Sequence, residues 1–286
     1  MSNDRRQFGF FDPKQEYSVT YGVLPHWEQP GATYFITYRT RDSIPQAAFD
    51  LWQRQRADAL RRLGIDPYAS DWTAAFSRLD WGVRRQFARQ FATIQEASLD
   101  ELHGACPLRD PNVSNVVAEN LLHFDGPRYS LGGFVVMPNH VHVLVCFDRN
   151  VTLKDQCRNW KHYQSLRINE LLGHKGRLWQ PESFDHLVRD GDHFQKFRTY
   201  IQNNPVKAGL KESEFRLYLP DLQDAHFVTD CGHSVGDTLS SFSILFFWCW
   251  PTERPQSATC GGELVSFGGN WSACAGMERV QHRPET

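Results

Sequence analysis

The sequence of 286 residues predicts an α+β fold, and three observations carry that expectation. First, Ala32-Thr33-Tyr34-Phe35-Ile36-Thr37-Tyr38-Arg39 is dense in β-branched and aromatic residues and follows a Pro-Gly pair, the mark of a strand opening after a turn. Second, residues 129–147 read as two strands around Met137-Pro138-Asn139, the second alternating as His140-Val141-His142-Val143-Leu144-Val145. Third, several segments between and after these strands place apolar residues at helical spacing.

The elements follow in order. Residues 1–24 are polar and proline-bearing and read as a flexible lead-in. Residues 47–63 set Leu51, Trp52, Ala59, Leu60 and Leu63 on one helical face with arginines between them. A second helical stretch covers 80–98, and a third covers 112–124, where Asp110 suits an N-cap and Pro111 a first helical position. Residues 153–172 form a long helix that closes at Gly173. In that helix Trp160 reads as core rather than as a platform for stacking a base. A last helix covers 190–204 and is expected to stop at Pro205.

After about residue 220 the character changes. Residues 221–286 hold three arginines and no lysine against eight acids, and they collect Gly, Ser, Cys and Trp without a sustained period. We read 221–286 as an acidic, disordered or loosely packed tail. No apolar run approaches the roughly 20 residues that span a bilayer, and Met1-Ser2-Asn3-Asp4-Arg5-Arg6 leads into no secretory core, so the expected location is cytoplasmic. The seven cysteines form no C-x-x-C pair and read as free thiols. Cys231 and His233 lack paired partners for zinc. The net charge of −2 argues against a nucleic-acid partner only until it is divided: residues 154–216 carry +4 and the tail −5.

Two constellations could do chemistry. On a strand His140 and His142 are i and i+2, so their imidazoles lie side by side on one face, a ready site for a divalent metal or a purely structural pair. On a helix Tyr200 and Asn204 are i and i+4, so a phenol and a carboxamide leave together; an interfacial tyrosine and a capping asparagine would look the same.

Both motifs, Met137-Pro138-Asn139-His140-Val141-His142 and Tyr200-Ile201-Gln202-Asn203-Asn204-Pro205-Val206-Lys207-Ala208-Gly209-Leu210, stand in this order about 60 residues apart. So placed, they resemble the REP-associated tyrosine transposases, a branch of the IS200-like, single-tyrosine HUH transposases. Leu178-Trp179-Gln180, Phe184-Asp185-His186-Leu187-Val188-Arg189-Asp190 and the Tyr34–Arg39 strand resemble that family as well. The likeness covers about residues 25–220, with a helical insertion at about 43–125 that the shortest members lack.

The resemblance implies an antiparallel sheet flanked by helices with ferredoxin-like or RRM-like connectivity. It implies that His140, His142 and Asn204 hold Mg²⁺ or Mn²⁺, which polarises the scissile phosphate, and that Tyr200 attacks phosphorus to leave a covalent 5′-phosphotyrosine and a free 3′-hydroxyl. The implied activity is that of a metal-dependent DNA endonuclease and strand transferase. Its substrate would be single-stranded or hairpin DNA with palindromic repeats, its state monomer or homodimer, and its place the nucleoid. Arg158, Lys161, His162 and Lys207 are the expected DNA contacts. The rival readings are a domesticated DNA-binding protein that no longer cuts, and a hydrolase that uses His140 and His142 to activate water.

Overall fold

The computed structural model describes residues 6–21, 25–80, 82–84, 86–87, 90, 101–223, 225–228 and 279–282. In chain order these give β1 (Gln7–Gly9), β2 (Tyr17–Tyr21), β3 (Pro25–Glu28), β4 (Thr33–Arg39), α1 (Gln46–Arg62), α2 (Trp72–Ser77), α3 (Pro111–Leu122), β5 (Tyr129–Val136) and β6 (His140–Phe147). Then come α4 (Leu153–Leu172), β7 (Phe184–Leu187), α5 (Gly191–Lys207), β8 (Arg216–Tyr218), β9 (His226–Val228) and β10 (Arg279–His282). The helix expected over 80–98 and the Cys231/His233 pair lie largely or wholly outside the described residues.

The central sheet is antiparallel with the order β7-β4-β6-β5-β8. Its first four positions are the fourth, first, third and second strands of a βαββαβ unit, the ferredoxin-like connectivity. Side chains alternate across this sheet. Tyr34, Ile36, Val141, Val143 and Val145 enter a core with α3 and α4, where Val113, Val117, Leu121, Cys157, Trp160 and Ile168 are buried. Phe35, Val135, Leu144 and Cys146 face the other way, against Phe194, Phe197, Tyr200 and Ile201 of α5. Each large apolar side chain so buried contributes roughly 1.5–3 kcal/mol.

Local chemistry sets the helix ends. Asp110 accepts from Asn112 N at the start of α3, Thr152 from Asp155 N at the start of α4, and Gly173 closes α4 at a positive φ of 63°. Asp190 caps α5 through His193 N. Contrary to the sequence expectation, Pro205 does not end α5, which runs on to Lys207. A proline so near the C-terminus forfeits one hydrogen bond, and the closing turn is still made by Ala208 N to Asn204 O and Leu210 N to Pro205 O. Helix α5 reaches the sheet closely because of Gly132, where a Cβ would lie 2.8 Å from the Phe194 ring.

Within the expected lead-in, residues 7–9 and 17–21 form strands. β1 pairs in parallel with β9, and Phe8 is fully buried, 4.8 Å from Phe194 and 5.7 Å from Phe227 between ring centroids. An aromatic residue on a short strand finds its pocket only when β9 is brought alongside, so neither end of this pairing is legible alone. β2 pairs with β3 and β10. Residues 221–223 and 225–228 therefore extend the folded unit past the expected boundary at 220; residues 229–278 lie outside the described residues. Cys106, Cys146 and Cys157 are free thiols, and no described helix is long and apolar enough to cross a membrane.

Candidate active site

The side of β6 that faces α5 carries His140 and His142, both buried. Alternation alone brings them together: their rings meet edge to face with centroids 4.7 Å apart, and their Nε2 atoms are 3.1 Å apart. Tyr200 and Asn204, one turn apart on α5, complete the cluster. Tyr200 Oη is 3.5 Å and Asn204 Nδ2 3.4 Å from His142 Nε2. Tyr200 is held by edge contacts to His142 and Phe35, with ring centroids 5.0 and 5.7 Å away.

The outer nitrogens of both rings are tied down. Asn139 Oδ1 accepts from His140 Nδ1 at 2.7 Å, while Asn139 Nδ2 donates to His103 O at 2.9 Å. Thr37 Oγ1 lies 2.7 Å from His142 Nδ1, directly across the β4–β6 ladder. Asn139 Oδ1 places the His140 proton on Nδ1 and leaves its Nε2 lone pair facing His142, whereas Thr37, whose hydroxyl can donate or accept, holds the His142 ring without fixing its tautomer. Burial, with the Arg39 guanidinium beyond it, pushes His140 down to about 3; burial, then His140 and Lys207, holds His142 well below its ordinary value. Both rings are therefore neutral near pH 7.

With one Nε2 protonated the pair makes an ordinary hydrogen bond at 3.1 Å, and with neither protonated a cation between them relieves the repulsion of two facing lone pairs. Cis donors of an octahedral cation at about 2.1 Å are about 3.0 Å apart, close to the separation of these nitrogens. Among the described residues no third His, Cys, Asp or Glu joins the pair. Asn204 Oδ1 is buried without a hydrogen-bond partner beside the pair. The donor set of two imidazoles and a carboxamide fits a divalent cation, and the carboxamide can present its oxygen by turning about its terminal torsion.

The four expected DNA contacts separate. Lys207 lies on α5, close enough for its charge to depress His142. Arg158, Lys161 and His162 lie on α4, which packs on the opposite side of the sheet. Arg158 is ion-paired with Asp155 at 2.8 Å, and Lys161 Nζ donates to Pro181 O at 2.6 Å and Ser183 Oγ at 3.0 Å, a strut between α4 and the segment before β7. Trp160 is core, as expected, with Nε1 donating to Tyr129 Oη at 3.2 Å. His186 is buried on β7, pushed down to about 4 by burial and then by His193.

Sequence reasoning missed Asn139, Thr37 and Arg39. The last two were signalled only weakly, as members of the Phe35, Thr37, Arg39 alternation. The helical insertion enters the site through His103 O and through Leu108 N, which donates to Pro138 O at 3.1 Å.

Residues 123–204 match the family model described as "Transposase IS200 like", a span that contains both histidines and ends on Asn204. Among solved structures the chain is similar to one described as the REP-associated tyrosine transposase bound to a REP hairpin. That likeness has 16% identity, covers 76% of this chain and 97% of that one, and has a TM-score of 0.33. The fold assignment above rests on the strand order of this chain itself. No curated protein sequence matches.

Proposed function

We propose, from the match of residues 123–204 to the IS200-like transposase family model, that the protein nicks and rejoins single-stranded or hairpin DNA through a covalent 5′-phosphotyrosine on Tyr200. The observation that carries this reading is the convergence of three side chains, His140 from β6 and Tyr200 and Asn204 from α5, within 3.5 Å of one atom, His142 Nε2.

Each group has a role that its position supports. Tyr200 Oη would attack phosphorus. The new Oη–P bond forms as the P–O3′ bond breaks, the phenolic proton is lost, and the departing 3′ oxygen takes up a proton. The phosphodiester energy is kept in the adduct, so another 3′-hydroxyl can reverse the step on a second strand without ATP. His140, His142 and Asn204 would hold Mg²⁺ or Mn²⁺, which when bound supplies positive charge to the phosphoryl oxygens and to the phenolate. Asn139 and Thr37 fix the ring orientations. Sharing Tyr200 and Asn204 on one rigid helix keeps nucleophile and ligand in register.

The test is incubation of the full chain with labelled hairpin oligonucleotides and Mn²⁺. A covalent adduct is expected, lost in Tyr200→Phe and on chelation, with hairpin binding retained by the variant. An adduct that persists in Tyr200→Phe sinks the nucleophile assignment. Cleavage that leaves no adduct would instead favour a water nucleophile.

A further inference from the structure

We infer that Arg39 is a further catalytic residue, a buried guanidinium that binds a non-bridging oxygen of the scissile phosphate beside His140. The inference rests on the nuclease reading above and adds to it a residue from a different strand.

Arg39 is the last residue of β4 and stands directly opposite His140 in the β4–β6 ladder, on the same side as Phe35, Thr37 and the two histidines. It is only 7% exposed. One terminal nitrogen, Nη1, donates to Ser43 Oγ at 3.1 Å, and the buried Nε–H has no partner. None of the ion pairs among the described residues involves Arg39, and no carboxylate tempers its charge, which burial alone perturbs. Its effect on His140 is that of a nearby positive charge.

A guanidinium largely removed from water, with one neutral hydroxyl as its protein partner and a buried Nε–H left over, is unfavourable unless an anion completes the site. The neighbours fit one kind of anion. The proposed nucleophile and the imidazole pair are neutral, so nothing in the immediate cluster competes for the charge. A tetrahedral phosphate diester carries one negative charge on two equivalent oxygens, and a guanidinium edge matches such oxygens with two parallel hydrogen bonds. As the Tyr200 oxygen adds to phosphorus, negative charge on those oxygens grows, and a fixed cation in a dry site is more effective there than in water. A role confined to tethering the turn through Ser43 would need one donor and no charge, and it leaves the orphaned Nε–H unexplained.

The experiment compares wild type, Arg39→Gln and Arg39→Lys on a hairpin whose scissile phosphate is either a phosphodiester or a methylphosphonate, which lacks the charged oxygen. Arg39→Gln is expected to slow adduct formation by about 10²–10³-fold on the phosphodiester, with hairpin affinity changed no more than about threefold. On the methylphosphonate the same variant should differ from wild type by less than about fivefold, because the charge it served is gone. Equal rates for wild type and Arg39→Gln on the phosphodiester overturn the assignment, and so does an equal defect on both substrates. If Arg39→Gln fails to fold, Arg39→Lys carries the comparison, since it keeps the charge and loses the fork. A wild-type chain that binds hairpins yet forms no adduct would sink the nucleophile reading alone. Arg39 is then read by inorganic phosphate without divalent cation: it should raise the melting temperature of wild type and not of the variant, and the same rise in both, or none in either, overturns the inference.

Discussion

Asn139 makes two bonds that can be broken together, and the consequences can be worked out from its geometry. It is fully buried, accepts from His140 Nδ1 at 2.7 Å and donates to His103 O at 2.9 Å. Asn139→Ala strands a ring N–H and a backbone carbonyl, each at a cost of about 1–3 kcal/mol, so the domain loses a few kcal/mol in a urea titration. The ring also loses the bond that keeps its proton on Nδ1. A tautomer bias of about 1.4 kcal/mol is tenfold in population, and loss of such an outer partner typically lowers metal affinity by about 10–100-fold. The Mn²⁺ concentration for half-maximal adduct formation should rise by that factor. Asn139→Asp separates the two effects, since it keeps an acceptor for His140 while it loses the donor to His103 O and sets a carboxylate oxygen against that carbonyl. It should be destabilised while its Mn²⁺ dependence stays within about threefold of wild type. An Asn139→Ala protein that folds and keeps the wild-type Mn²⁺ dependence would refute the claim that this bond orients a ligand.

Three further outcomes bear on stability. His186, held at about 4 chiefly by burial, contributes stability that is present above its unfolded value of about 6.5 and is lost as pH falls toward 4; between pH of about 7.5 and 5.0 that loss is about 2 kcal/mol. His186→Phe should remove that part of the acid sensitivity in urea unfolding at the two pH values, and an unchanged pH dependence refutes it. His26 has the opposite sign: burial opposes its charge, but Asp185 beside it raises its pKa overall, so its contribution is full below about 6.5 and fades as pH rises through the folded value. Phe8→Ala should cost about 3–5 kcal/mol, measured by the same titration; a loss under about 1 kcal/mol would show that β1 is not part of the second core.

Periodicity and motif carried much of this protein in the sequence. The strand at Thr33–Arg39, the two strands around Met137-Pro138-Asn139, the caps at Asp110 and Gly173 and the long helix between Leu153 and Leu172 all follow from local rules, because side-chain alternation and capping depend on residues close in the chain. The same rules put His140 beside His142 and Tyr200 beside Asn204. They could not join the two pairs, since the distance from Tyr200 Oη to His142 Nε2 depends on α5 lying on the face of β6 opposite α4.

That choice of face also separates Arg158, Lys161 and His162 from Lys207 and the site, because the spacing of residues along a helix says nothing about which side of a sheet the helix covers. Phe8 and Val228 acquire meaning only through the pairing of β1 with β9, over 200 residues apart. The sequence by itself determined three strands of the central sheet, most of the helices and the two reactive pairs, all of them products of short-range geometry. Only the tertiary structure decided the layer in which each helix packs, the partners Asn139 and Thr37, and the exposure of Arg39 to His140 rather than to a carboxylate. Those depend on which distant surfaces exclude water together, and burial is a property of the assembled layers rather than of any one segment.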